Sequence, residues 1–287
     1  MELRVLKYFL IAAREENITK AATLLHLTQP TLSRQLRQLE DELGITLFYR
    51  TSHRIVLTED GMLFRRRAQE ITDLTEKTKA EFSSDAADLA GKISLGCGET
   101  YNMGILAGWM SSMQKKHPFV TFQVQSFTAD VVLERLENGL LDLGLLMEPV
   151  DIRKYEILRM PLKEKWGVLV RRDSELCSKK VLVPQDLAQI PLILPERLSV
   201  QNNLQRWFGD TYDDIHLAAT YNLMLNAVFM VKNGLGAAVG YKFDQFFPDV
   251  QFIPLADMPA AGAVLAWKKQ QLFSKTVRSF LDICRNG

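Results

Sequence analysis

The sequence predicts a chain in two parts: an all-α N-terminal region closing on a small hairpin and, beyond a long helix, an α/β region. Three observations predict it. The first 58 residues carry apolar sets at helical spacing, broken by polar turns. Residues 59–90 hold no proline and a single glycine, Gly61. From Gly91 onward, short alternating or continuous apolar runs take turns with helical patterns, which indicates α/β architecture with parallel sheet.

Leu3, Leu6, Leu10 and Ala13 define the first helix. Ile18-Thr19 opens the second, with Thr19 as N-cap and Ile18 as hydrophobic staple. His26-Leu27-Thr28 is the turn, and Thr28 caps a third helix that runs to Leu43 and stops at Gly44. Pro30 fits its first turn, where the missing N–H has no intrahelical partner anyway. "LFYRTSHRIVLT" (residues 47–58) predicts a hairpin with Ser52-His53 at its polar centre. In the long helix, Phe64, Ala68, Ile71, Thr75, Thr78 and Phe82 alternate in steps of four and three, a heptad seam expected to form a dimer interface. The plainer alternative is a helix packed on its own domain.

Projected at about 100° per residue, the third helix gathers Leu32, Leu36, Leu39 and Leu43 on one side. Pro30, Thr31, Arg34, Arg37 and Gln38 lie opposite, with Gln29 at the tip. Arg pairs with guanine at two points, Gln with adenine, and Thr offers a methyl and a hydroxyl. The Ala21-Ala22 pair lets the preceding helix approach closely. Two short helices about such a turn make a helix-turn-helix; a generic helical pair with a polar face is the alternative. The net charge is only +1. Between Lys20 and Thr58, however, the acids cluster at Glu40, Asp41 and Glu42, which leaves a local basic face.

The chain has 287 residues, 47% hydrophobic and 24% charged, which fits two soluble globular domains. No apolar run approaches the roughly 20 residues of a membrane span, and the N-terminus lacks the pattern of a signal peptide. Cytoplasmic residence without a membrane partner is expected. Cys97, Cys177 and Cys284 are odd in number and far apart, and read as reduced thiols, a redox role for Cys97 being the lesser reading. No metal site, cofactor or catalytic residue is predicted. "GCGETY" places Tyr101 where a dinucleotide fingerprint needs its third glycine, and neither GxSxG nor HExxH occurs.

The segment "FLIAAREENITKAATLLHLTQPTLSRQLRQLEDELGITLFYRT", followed by "VLTEDG", closely resembles the N-terminal winged helix-turn-helix of LysR-type transcriptional regulators. The likeness is near-continuous from Leu3 to Gly61. The remainder resembles the family's effector domain more loosely, in length and strand–helix order. The resemblance implies a winged helix-turn-helix over 1–58, a linker and dimerisation helix over 59–90, and an effector domain over 91–287. That domain would be like a type 2 periplasmic binding protein, with two Rossmann-like subdomains hinged by two crossing strands: one over 91–161 and 268–287, the other over 162–267. It implies DNA contacts from Thr19, Gln29, Pro30, Thr31, Ser33, Arg34 and Arg37, and from the wing residues Arg50, His53 and Arg54. Thr31 and Ser33 would serve equally for phosphate, and Arg50 for an ion pair with the Glu40–Glu42 cluster.

The implied partners are an operator with dyad symmetry, a small-molecule effector, further copies of the chain in a homodimer or homotetramer, and RNA polymerase. Effector binding would shift the population between closure states of the cleft. In such a fold the ligand sits at the carboxyl ends of strands. Glu99, Thr100, Tyr101 and Asn102, Thr128, Met147 and Glu148, Glu196 and Ser199, and Tyr221 and Asn222 stand at those positions, each with a plain alternative as a cap or loop residue. Glu99 and Tyr101 depart from the commoner family pattern. The acids Glu99, Glu148 and Glu196 would disfavour a simple dicarboxylate and suit a ligand with an amino group, with Arg197 as a source of opposite charge. A solute-binding sensor without DNA function would explain residues 90–287 but not the first 58; an architectural DNA-binding protein would leave the cleft idle.

Overall fold

The computed structural model describes residues 1–51, 54–82, 89–242 and 247–286. The chain divides into two compact units, Met1–Asp85 and Ala86–Gly287.

In the first unit, α1 (Leu3–Glu15), α2 (Ile18–Leu24) and α3 (Gln29–Leu43) pack around Phe9, Leu32, Leu36 and Leu39. The cap of α2 is Asn17, not Thr19: its Oδ1 accepts a hydrogen bond from the Lys20 amide at 2.9 Å. Extended backbone at Asn17 aims that oxygen at the first turn, while Thr19 already lies inside the helix. Thr28 does cap α3, accepting from the Thr31 amide, and Gly44 ends it at φ 69°. β1 (Phe48–Arg50) and β2 (Ile55–Leu57) form the antiparallel hairpin, Tyr49 facing Val56.

α4 (Glu59–Phe82) begins at Thr58, whose Oγ1 accepts from the Gly61 amide at 2.9 Å and donates to the Thr46 carbonyl at 2.7 Å. Here the predicted dimer seam is corrected. Ala68 is fully buried and Phe64 meets Phe9 edge-on at 4.9 Å, so both belong to the unit's own core. The first two turns of α4 cover the apolar face left open by α1. Ile71 and Thr78 remain exposed, as does Leu74, which stands outside that seam. The hydroxyls of Thr75 and Thr78 donate to carbonyls of their own helix. The side chain of Phe82 lies outside the described residues.

The second unit holds two five-stranded sheets. One runs β4 (Val120–Ser126), β3 (Gly91–Cys97), β5 (Leu143–Met147), β12 (Ala263–Lys268) and β6 (Tyr155–Arg159). The other runs β11 (Val250–Pro254), β7 (Trp166–Arg171), β10 (Ala237–Tyr241), β8 (Pro191–Pro195) and β9 (His216–Tyr221). Both sheets are mixed rather than parallel as expected, because β12 runs against β5 and β6, and β7 against β10 and β11. Each reversed strand lies next to a crossing between lobes, so it enters its sheet from the opposite end. For the same reason the first lobe resumes at Ala263 rather than 268. Helices α5 (Asn102–Lys116), α6 (Ala129–Glu137) and α9 (Lys275–Asn286) cover the first sheet. The second sheet is covered by α7 (Leu198–Phe208) and α8 (Met224–Lys232).

Two segments cross between the lobes, and they pair: the Glu164 and Ala261 amides each donate to the other's carbonyl, at 2.8 and 2.9 Å. Among the described residues no helix is long and apolar enough to cross a membrane.

Candidate functional site

Two sites emerge. The first is the outer face of α3. Leu32, Leu36 and Leu39 are buried, which fixes the rotation of the helix. Gln29, Pro30, Thr31, Arg34 and Arg37 are thereby turned outward and exposed, with Ser33 half-buried beside them. The Thr28 and Thr31 hydroxyls lie 2.8 Å apart, which orders the first turn. Among the described residues neither Arg34 nor Arg37 is paired with a carboxylate, so both present charge to solvent. Thr19 is exposed on α2.

Arg50 forms the ion pair that the sequence offered as the alternative to a DNA contact. Its Nη2 lies 2.7 Å from Glu40 Oε2 and its side chain is only 26% exposed. Glu40 Oε1 also accepts from the Leu47 and Phe48 amides, at 2.8 and 3.1 Å. A carboxylate on α3 thus ties the hairpin to the helix, and Arg50 completes the tie. Arg54 is exposed, its carbonyl accepting from the Thr51 amide at 2.9 Å and its amide donating to the Thr51 hydroxyl oxygen at 3.1 Å. His53 lies outside the described residues.

The second site lies between the lobes of the second unit. A cavity of about 120 Å³ is lined by Glu99, Thr128, Met147, Glu148, Glu196, Tyr221 and Asn222, all named from the sequence. Its apolar wall comes largely from residues the sequence did not single out: Phe127, Trp166, Val200, Met224 and Tyr241. Trp166 and Tyr241 are neighbours on antiparallel strands, with ring centroids 4.4 Å apart. Trp166 opens β7 and Tyr241 closes β10, and an aromatic ending an apolar run reads equally as core or as cavity wall.

Four predicted residues are not in this cavity. Thr100 and Asn102 instead fasten the start of α5 to the crossing segment. The Thr100 hydroxyl and the Tyr101 amide both donate to Glu164 Oε1, the latter at 3.0 Å. Asn102 is buried, exchanging hydrogen bonds with Leu162: its Nδ2 donates to the carbonyl at 3.1 Å and its Oδ1 accepts from the amide at 3.2 Å. Burial raises the Glu164 carboxyl above the ordinary range, against the lowering effect of those two donors. Ser199 faces a neighbouring, more open hollow shared with Thr128, Asp130 and Glu196.

Several polar groups of the cavity are already partnered. The Tyr221 hydroxyl donates to the Val239 carbonyl at 2.9 Å, and burial holds its pKa above the usual phenol value. Glu148 pairs with Arg159 at 2.9 Å. Arg197, expected as free positive charge, donates to the Pro149 carbonyl at 2.7 Å and faces Asp130 at 3.2 Å. Cys97 lies buried behind the cavity; burial raises its thiol pKa, and a protonated thiol is the unreactive form.

A model of the bacterial regulatory helix-turn-helix protein of the lysR family matches residues 3–62, and one of the LysR substrate binding domain matches residues 86–287. The chain belongs to the LysR family. This LysR-type transcriptional regulator is 36% identical over 248 residues to the HTH-type transcriptional regulator BsdA of Bacillus subtilis (strain 168), covering 83% of each chain. It is 26% identical over 289 residues to the Hca operon transcriptional activator HcaR of Escherichia coli (strain K12), covering 99% of this chain and 97% of that one. Among solved structures, full-length CbnR complexed with its target DNA matches with a TM-score of 0.76 and 22% identity, over 100% of this chain and 99% of that one. The regulator therefore carries a DNA-binding domain and an effector-binding domain, and the two sites above fall one in each.

Proposed function

We propose that this regulator reads its operator with Gln29, Pro30, Thr31, Ser33, Arg34 and Arg37 in or beside a major groove. Arg54 and His53 reach the flanking backbone or minor groove, and Thr19 lies at the edge of the same contact. The observation that carries this is the rotation of α3: its three buried leucines leave the arginines and the capped first turn as the exposed surface. Support comes from the CbnR structure, which holds target DNA. Arg50 acts from behind, setting the hairpin against α3 through Glu40.

Regulation follows from the cleft between the lobes. An effector in the cavity favours one closure state, and the changed packing of subunits alters the angle or spacing of paired reading helices on a site with dyad symmetry. Dimers form through the exposed part of α4 and tetramers through the effector domains. RNA polymerase is the further partner where the outcome is activation, as the name of the Escherichia coli relative says of that protein.

The test starts by selecting an operator from random duplexes, followed by gel-shift titration. Arg34→Ala should weaken binding and relax preference at one base pair by about 1–3 kcal/mol. Unchanged affinity and unchanged sequence preference would remove Arg34 from the set of base readers.

A further inference from the structure

Glu99 sits at the end of β3 in the first lobe, yet its carboxylate is bonded to the second. Glu99 Oε2 accepts hydrogen bonds from the Met224 and Leu225 amides at the start of α8, the latter at 3.3 Å. Those N–H groups have no partner within their own helix, and the helix dipole makes that end attractive to anions. Glu99 and Met224 both line the 120 Å³ cavity. The protein has thus supplied its own carboxylate, from across the cleft, to an anion-receptive position on the cavity wall.

The remaining charges point the same way. Glu148 and Glu196 also line the cavity, and Arg197, which among its described lining residues carries the positive charge, is directed at Asp130 and the Pro149 carbonyl. Arg159 offsets Glu148 as Asp130 offsets Arg197, so an entering carboxylate would meet the negative charges of Glu99 and Glu196 and an occupied helix terminus. A neutral or cationic group would leave Glu99 in place. An apolar cavity of about 150 Å³ holds a single benzene ring, and Trp166 and Tyr241 give the cavity wall aromatic surface, which attracts an ammonium group.

We propose that Glu99 is the charge selector of the cleft: it occupies the amides opening α8, so the site admits small neutral or cationic ring compounds and rejects carboxylates. This rests on the reading that the effector binds between the lobes. It adds that one residue sets the charge class of the effector, and that the clasp it forms joins the lobes before any ligand arrives.

The test uses the full-length protein and three probes of nearly equal shape: 2-phenylethylamine, 2-phenylethanol and phenylacetate. Binding is followed by calorimetry for the wild type, Glu99→Gln and Glu99→Ala, with operator binding as the check that each variant is folded. The wild type should prefer the amine or the alcohol to phenylacetate by at least tenfold. Both variants should bind phenylacetate at least fivefold more tightly than the wild type. A smaller gain in both variants, including no phenylacetate binding at all, overturns the proposal, as does phenylacetate binding to the wild type as well as the amine does. Ala129→Trp, designed to place bulk at the cavity wall that Ala129 lines, separates the two readings. Probe binding that survives it refutes the cleft as the site; binding lost there but indifferent to Glu99 refutes the charge selector alone.

Discussion

Single residues in this protein do work that their neighbours in sequence do not announce. Glu164 is the clearest case, a carboxylate on a crossing segment that anchors the start of α5 through Thr100 and Tyr101. Burial raises its pKa in the folded state. A raised folded-state value means that the contribution to stability is full below the ordinary glutamate pKa and is lost as pH rises through the higher folded value. Glu164→Gln keeps an acceptor for both donors and never ionises. Thermal melts at pH 4 and pH 8 should therefore show the variant gaining on the wild type as pH rises; a difference that is flat with pH would mean that Glu164 is not ionised at a cost in the native state. Arg50 teaches a related lesson. Its position in a basic hairpin suits a DNA contact or an ion pair with the Glu40–Glu42 cluster, and the fold makes the pair: Glu40 lies 10 residues away in the chain and 2.7 Å away in space.

At the scale of elements, capping and periodicity made most boundaries legible. Thr28 and Gly44 bracket α3 because a side-chain oxygen and a left-handed backbone are local requirements, visible in the residues themselves. α8 has neither device: Leu223 before it offers no capping oxygen and Asn233 after it keeps a φ of -87°. β6 and β11 leave little trace in the sequence: "YEILR" carries charge at two of five positions and "VQFIP" ends in proline, so neither shows a clean alternation. Their pairing with β12 and β7 is what makes them strands. Close approach is equally invisible. A Cβ at Gly61 would come 2.2 Å from the Leu47 carbonyl oxygen, a backbone atom that cannot step aside. Gly61→Ala should cost about 1–3 kcal/mol by overpacking, read from urea unfolding, and no loss of stability would show that α4 can shift to make room.

For the whole molecule, the question is how copies of the chain meet. The heptad seam named six residues on α4, and its first two belong to the core of their own unit. A helical repeat reports that a face is apolar, not which surface covers it. Ile71 and Leu74 remain exposed at 37% and 43%. Ile71→Asp together with Leu74→Asp should halve the sedimenting species, tetramer to dimer or dimer to monomer, and abolish cooperative binding to a dyadic operator, while binding to a half-site persists at high protein concentration. A variant that sediments as the wild type does places the interface elsewhere. Spacings of a few residues are enough to place α3, its caps, its exposed arginines and most of the strands and helices. The family resemblance, together with the strand ends, put Glu99, Thr128, Glu148 and Glu196 near a cleft. Which of these groups are already partnered depends on tertiary packing. Glu99 meets α8 125 residues further on, and Arg197 meets Asp130 67 residues back. Contacts at such separations are set by how two sheets are crossed and closed, a property of packing that leaves no periodic trace in the chain.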